Sequence, residues 1–361
     1  MRVLLFLSLL STIAFGDEPD TSLARILKLK SDTAQVNELY KLSNSLRNSN
    51  PDQAWYYAHL CEEKAQISES QKHLAKSYNM LGVLYYKKSD LKKAMAYHQK
   101  ALELRTSCKD EMGCAMSRVN LANIYTDAQL YEKAEENYLA ALDIYNHLGD
   151  LKRAGDCLMN LGVLKQTTKQ NKIAFENYSK ALEISEQLNN HEMRARCLNN
   201  IAQIFFENGE YDRSIAFQED ALKIRNMMDN NVEVADSYLN LASNYIKLKQ
   251  YDKAKYYLDT AVVVSKHYDY YEAELMAYKI RSDYFSAIKN HEGAYYWLNK
   301  YYDSKDSLIA VQNEPENFDF KMPEILGTKQ AAVKEFNNLW LLISVLIFVI
   351  FVPLMLFRLK R

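Results

Sequence analysis

Apolar and small residues recur through the middle of the chain with a constant period of forty positions. Segments taken at this interval from Asn79 read NMLGVLYYKKSDLKKAMAYHQKAL, then VNLANIYTDAQLYEKAEENYLAAL, and continue through four further copies without a slip. Each segment holds two stretches in which apolar residues have helical spacing, separated by a short polar turn. The pattern predicts an all-α solenoid built from stacked helical hairpins.

The two helices of each hairpin have different signatures. In the first helix a large apolar residue precedes a small one, as in Leu81-Gly82 and Leu121-Ala122. Small residues at fixed positions let two helices approach closely, while the large ones fill the space between them. In the second helix alanines lie seven residues apart, at Ala94 and Ala101, Ala134 and Ala141, Ala174 and Ala181, and Ala254 and Ala261.

On these residues the chain resembles the tetratricopeptide repeat (TPR) family. The resemblance includes tyrosines that open second helices and the small residue that follows Leu or Ile in first helices, namely Tyr131, Tyr211, Tyr251, Gly82, Ala122, Gly162, Ala202 and Ala242. The usual repeat has 34 residues, so a period of forty predicts hairpins that are longer by about six residues.

A degenerate copy precedes the six regular segments, with Ala54 at an alanine position and Cys61 at the other small site. Seven hairpins are therefore predicted over residues 33–311, after a lead segment at 17–32. The predicted repeats lie near 35–74, 75–114, 115–154, 155–194, 195–234, 235–274 and 275–311.

Both ends of the chain carry apolar segments outside the array. A positive start and a thirteen-residue apolar stretch predict a signal peptide at 1–16. Residues 339–357 have no charged side chain and are long enough for a transmembrane helix; the alternative is a buried soluble helix. A linker at 312–338 precedes this span, and the basic tail at 358–361 predicts a cytoplasmic C-terminus. We therefore expect a single-pass protein of a bacterial inner membrane with periplasmic repeats.

Composition narrows the class of function. The net charge of the chain is −1, and without Arg2 and the three cations of the tail it is −1 − 1 − 3 = −5. A mildly acidic exported region argues against nucleic acid as a partner because phosphates require basic patches. The pairs His191-Glu192 and His291-Glu292 lack a second histidine four residues on, so no zinc motif is present, and neither a phosphate-binding glycine loop nor a nucleophile motif occurs. We expect no enzyme activity, no cofactor and no metal site.

A row of asparagines is the sharpest functional signal. Asn120, Asn160, Asn200 and Asn240 precede the large apolar residue in four successive first helices. Carboxamides donate and accept hydrogen bonds, so such a row suits the backbone of an extended peptide in a concave groove, where Asn123 and Gln203 would extend it. It resembles the asparagine ladder that grips peptides in the repeat domain of O-linked N-acetylglucosamine transferase. The alternative is that these amides bond neighbouring helices and hold the stack.

The five cysteines allow one candidate disulfide. Cys108 and Cys114 flank the loop CKDEMGC and could be bridged if the loop brings their Cα atoms to about 5.5 Å. Cys157 and Cys197 share one register on first helices and fit small buried positions better than a pairing.

Three functions remain open. The first is a membrane-anchored scaffold whose exported repeats bind a protein or peptide. The second follows from a resemblance to the exported repeat-plus-transmembrane region of Bacteroidetes sensor histidine kinases: a ligand-sensing ectodomain that acts through a separate membrane protein, since the chain has no output domain and its linker contains Pro315, Pro323 and Gly327. The third is a structural spacer. The oligomeric state is left open.

Overall fold

The computed structural model describes residues 21–228 and 232–313, and these form fifteen α-helices and no strands. The all-helical prediction is confirmed for this part of the chain. The helices, numbered in chain order, are α1 Thr21–Leu27, α2 Asp32–Leu46, α3 Pro51–Ile67, α4 Gln71–Lys87, α5 Leu91–Ser107, α6 Glu111–Asp127, α7 Tyr131–His147, α8 Leu151–Thr167, α9 Asn171–Gln187, α10 His191–Glu207, α11 Tyr211–Asn226, α12 Val234–Lys247, α13 Tyr251–His267, α14 Tyr271–Ala287 and α15 His291–Asn313.

Most helices have 17 residues and are joined by three-residue connections, which produces the forty-residue period of the hairpins. Each connection ends one helix and begins the next. After α4, Ser89 adopts a left-handed conformation (φ 59°) and the amide of Asp90 donates to the carbonyl of Tyr85 at 3.0 Å. The carboxylate of Asp90 then accepts from the amide of Lys93 and caps α5.

Consecutive helices pack in antiparallel pairs, and each pair packs on the next. The first helices of the hairpins are α2, α4, α6, α8, α10, α12 and α14, and the helix that follows each of them completes its hairpin. In the last pair, the hydroxyl of Ser282 on α14 donates to the carbonyl of Ala294 on α15 at 2.8 Å. The alanines of the second helices are buried, as are the large apolar residues of the first helices, which are Leu81, Leu121, Leu161, Ile201 and Leu241. The small positions therefore have the packing role that their spacing predicted.

The described residues divide into two compact units. Residues 21–297 belong to the first, which contains α1 to α14 and the beginning of α15. The second starts at Leu298, and its described part is the remaining helical segment of α15.

None of the helices within 21–228 and 232–313 combines the length and apolar character that a bilayer crossing requires. The predicted signal peptide at 1–16, the predicted span at 339–357 and the tail at 358–361 lie outside the described residues. Most of the predicted linker lies outside them as well.

Candidate functional site

The asparagine row lies on four adjacent first helices, α6, α8, α10 and α12, one amide to each helix. All four side chains, at positions 120, 160, 200 and 240, are half-buried. Because the helices follow one another with a constant register, each amide can be compared at the same offset with the first helix of the preceding hairpin. The partner that it meets there decides whether it holds the stack or is available to a ligand.

The outer two amides are bonded within the fold. Asn120 Nδ2 donates to Asn79 Oδ1 at 3.0 Å, and Asn240 Nδ2 donates to Asn199 Oδ1 at 2.9 Å. In both pairs the accepting asparagine lies 41 residues earlier in the chain. It is on the preceding first helix, one residue before the position that corresponds to the asparagine row. Asn120 and Asn240 therefore join neighbouring first helices, as in the stacking alternative.

Apolar residues lie at that offset from the inner two amides. The residues 41 positions before Asn160 and Asn200 are Val119 and Met159, which offer no hydrogen-bonding oxygen. The Asn160 side chain has no hydrogen bond within the described residues. Asn200 accepts one long bond, from Asn199 Nδ2 at 3.4 Å, and its own Nδ2 donates to no group in the described chain.

The remaining predicted groove residues are engaged locally. The hydroxyl of Tyr138 on α7 donates to Asn123 Oδ1, so this amide is tied to its own hairpin. Gln203 Nε2 donates to Glu207 Oε1 at 3.2 Å, one turn further along α10. The assignment of all six residues to a peptide groove stays a prediction.

Charged side chains occupy a second register on α8, α10 and α12, four residues before the asparagine row. Lys76 has the same register on α4, whereas α6 carries the apolar Met116 there. This register was not singled out in the sequence, although its spacing places it on the same helix face. Lys76 Nζ donates to Asn37 Oδ1 at 2.8 Å, and Asp236 Oδ2 accepts from the Tyr270 hydroxyl at 3.2 Å.

Asp156 and Arg196 differ from Lys76 and Asp236 in their contacts. Neither forms a hydrogen bond or an ion pair within residues 21–228 and 232–313. Burial raises the pKa of the Asp156 carboxyl, and the positive charge of Arg196 acts in the opposite direction. Arg196 is therefore close enough to influence Asp156, yet the two charges are not paired.

The five cysteines are free thiols in the structure. Cys108 is exposed, and Cys114 Sγ lies 3.6 Å from Thr106 Oγ1. A disulfide between Cys108 and Cys114 stays a prediction. The other three thiols, at Cys61, Cys157 and Cys197, are buried, and burial raises the pKa of each to about 12. These three are structural rather than reactive.

No group of three or more His, Cys, Asp or Glu side chains that could hold a metal ion occurs in the part of the chain that the structure describes. The exposed His191 and His291 begin helices α10 and α15. The candidate site is thus a row of amides and charges on a helical face.

Three family models, all of the tetratricopeptide repeat, match this chain. They match residues 74–107, residues 111–187 and 156–227, and residues 235–264. The uncharacterized protein ycf37 of Porphyra purpurea is 34% identical over 90 residues, which are 24% of this chain and 49% of that protein. The chain therefore spans about half the length of this curated relative.

Two solved structures illustrate the likeness in fold. A STAND signal transduction ATPase with a tetratricopeptide repeat sensor, from Pyrococcus horikoshii, superposes with a TM-score of 0.63 at 17% identity, covering 86% of this chain and 49% of that one. A Rap protein complexed with Competence and Sporulation Factor gives 0.52 at 17% identity, covering 81% and 98%. At such identities the likeness concerns the fold alone. Together with the matching family models, these repeats make the chain a member of the tetratricopeptide repeat family.

Proposed function

We propose that this protein is a membrane-anchored TPR scaffold that binds an extended segment of a protein or peptide partner on its first-helix face. The observation that carries the proposal is the pair of carboxamides at Asn160 and Asn200. They occupy one register on adjacent first helices and lack the inter-helix bonds that hold Asn120 and Asn240. A half-buried amide that lacks a hydrogen-bond partner contributes favourable free energy to binding when a ligand supplies that partner.

The spacing of the helices suits a peptide backbone. Packed helices lie about 8–10 Å apart, and an extended chain rises about 3.3 Å per residue, so amides on α8 and α10 would meet roughly every third residue. Each carboxamide can donate to a peptide carbonyl and accept from a peptide N–H. Backbone recognition of this kind gives affinity without strict dependence on ligand side chains.

The comparisons support a binding role in general terms. One similar fold belongs to a Rap protein complexed with Competence and Sporulation Factor, and another to a repeat sensor of a STAND protein. We carry over only the class of activity, the binding of a protein or peptide partner.

The double variant Asn160→Ala/Asn200→Ala is expected to bind ligand more weakly while keeping the fold. Two hydrogen bonds of about 1 kcal/mol each correspond to a loss of roughly 30-fold in affinity. Peptides selected from a displayed random twelve-residue library on the full chain supply the probe, and titration calorimetry measures the dissociation constant. Thermal unfolding should change little, because these amides donate no bond to the described part of the fold.

The single variant Asn120→Ala is the matched control, since it occupies the same register. It removes the donor to the buried Asn79 and should cost roughly 1–2 kcal/mol of unfolding free energy while affinity for the selected peptides is retained. Unchanged affinity in the Asn160/Asn200 variant would contradict the proposed binding face. Failure of the wild-type chain to select any peptide would contradict peptide binding altogether.

Anchoring is part of the same proposal and concerns segments outside the described residues. We place the repeats in the periplasm, between a signal peptide at 1–16 and a span at 339–357. The exposed thiol of Cys108 provides a topology reporter. A membrane-impermeant maleimide should label it in intact spheroplasts, with Cys108→Ser as the control, and labelling only after lysis would place the repeats on the other side of the membrane.

A further inference from the structure

In both registers of the first helices, the members on α8 and α10 differ from the other polar members in their hydrogen-bond partners. In the asparagine row the outer members are bonded to neighbouring helices and the inner members are not. In the charged register, where α6 carries Met116, Lys76 and Asp236 have hydrogen-bond partners, whereas Asp156 and Arg196 have none among the described residues. Within these two registers, the four polar side chains that have no bond to a neighbouring helix of the described fold all lie on α8 and α10, and they are Asp156, Asn160, Arg196 and Asn200.

We propose that these four side chains form a charge-selective subsite for a peptide with two oppositely charged side chains about three residues apart. Asp156 on α8 would bind the basic side chain, and Arg196 on α10 would bind the acidic one. Asn160 and Asn200, four residues further along the same helices, would hold the backbone between them. This inference rests on the proposed function and names the ligand chemistry that it leaves open.

The charges themselves give the reason for this selectivity. Asp156 is half-buried, so its carboxylate has lost part of its hydration without gaining a hydrogen bond in return. Arg196 is exposed and has no carboxylate partner in the described chain. Because the two side chains attract but do not pair, a ligand that supplies one cation and one anion satisfies both without breaking an existing bond.

The spacing of the ligand charges follows from the helix positions. Asp156 and Arg196 have the same register on successive first helices, whose axes lie about 8–10 Å apart when packed. An extended peptide covers that separation in about three residues. A ligand with two like charges at this spacing would place one of them beside a like charge of the subsite.

Val163 contributes the apolar part of the same surface. Its side chain is 46% exposed on α8, one turn beyond Asn160. The other exposed charges of these hairpins, such as Glu183 and Arg194, lie outside this register, and Arg194 is paired with Glu186. Lys152 and Glu192, one turn earlier on α8 and α10, are exposed charges that also act on Asp156, so they border the subsite.

The experiment selects displayed random twelve-residue peptides on the full chain in three forms. The wild type should enrich peptides with a basic and an acidic residue about three positions apart. The variant Asp156→Asn/Arg196→Gln should lose that enrichment while it still selects peptides through its amides. The matched control, Asp143→Asn/Lys223→Gln, neutralises one acid and one base on exposed positions of second helices and should select like the wild type.

Exchanging the charges at positions 156 and 196 tests the inference through a measured affinity. Asp156→Lys/Arg196→Glu should weaken the best wild-type peptide by about tenfold or more, and a peptide with its two charges exchanged should regain the affinity. Selection of peptides without any charge pair, or equal enrichment by the neutralised variant, would overturn this inference and leave the proposed function intact. Selection of nothing by the wild type would instead overturn the proposed function.

Discussion

When the pH falls from above 6.5 to below 4, the variant His98→Leu is expected to lose roughly 3 kcal/mol less unfolding free energy than the wild type. His98 lies on α5 with 1% of its surface exposed, and its Nδ1 has no hydrogen-bond partner among the described residues. Burial, aided by the charge of Arg105, lowers the pKa of His98 to about 4. Leu258 occupies the equivalent position on α13, so leucine fits this register.

The direction of the pH effect follows from the two pKa values of His98. Above its ordinary value of 6.5 the side chain is neutral in both the folded and the unfolded chain. As the pH falls from 6.5 towards 4, the unfolded chain binds a proton that the folded chain excludes, so the free energy of unfolding decreases. The full loss is present below pH 4, and none of it is present above 6.5.

Urea unfolding of the full chain at pH 7.5 and pH 4.5, followed by circular dichroism, measures this effect. Wild type should lose roughly 2–3 kcal/mol more between the two pH values than His98→Leu does. The buried Gln218 holds the equivalent position on α11 and has no titratable group, so Gln218→Leu is the control that should keep the wild-type pH dependence. An identical acid response in wild type and His98→Leu would show that His98 is not the group that resists protonation.

The variant Gly162→Ala is expected to destabilise the protein by roughly 2–3 kcal/mol. A Cβ at Gly162 would lie 2.3 Å from the ring of Tyr178, which is fully buried on α9. The hydroxyl of Tyr178 donates to Gln166 at 3.2 Å, and a displaced ring would lose this bond. The protein therefore depends on glycine here, although alanine is present at the same position in three other hairpins.

The neighbouring hairpin explains why alanine is tolerated elsewhere. There Ala122 accompanies Tyr138, whose hydroxyl donates to the adjacent Asn123. The residue after Gly162 is Val163, which cannot accept such a bond, so Tyr178 has no equivalent alternative.

A double-mutant cycle tests this account of Gly162. Tyr178→Leu combined with Gly162→Ala recreates the Ala242–Leu258 pair of α12 and α13, and should recover most of the stability that Gly162→Ala loses. The free energies come from urea unfolding of the two single variants and the double variant. Additive losses would mean that the clash with the tyrosine ring is not the cause.

The architecture could be predicted because each of its determinants is local and repeated. The alanines of the second helices and the large residues of the first helices follow from helical spacing, and they are buried where that spacing places them. The connections are less evident in the sequence. One residue in most connections adopts the left-handed conformation, at intervals of twenty residues, as Ser89 and Gln129 do. Among the described residues at these positions, only Gly149 and Gly209 are glycine, the residue that this conformation favours.

The candidate site was predicted only in part, because each amide depends on a residue one repeat away. The row from Asn120 to Asn240 looks uniform in sequence, yet its members differ in their neighbours 41 positions earlier. Asn79 and Asn199 are acceptors, whereas Val119 and Met159 are not. The signal was present in the sequence, but reading it requires knowing that this offset joins adjacent first helices. The charged register at Asp156 and Arg196 was not singled out because its members differ in sign and one of its positions is Met116, so the sequence shows no uniform row.

The central claim, that the first-helix face of α8 and α10 holds the partner, is tested most directly by photocrosslinking in the native host. A photoreactive amino acid replaces Val163 on this face or, as the control, the exposed Glu183 on α9. The account predicts a discrete protein adduct from position 163 that disappears in the Asn160→Ala/Asn200→Ala background, and no such adduct from position 183. An adduct from 183 but not from 163, or one from 163 that persists without the two amides, would contradict it.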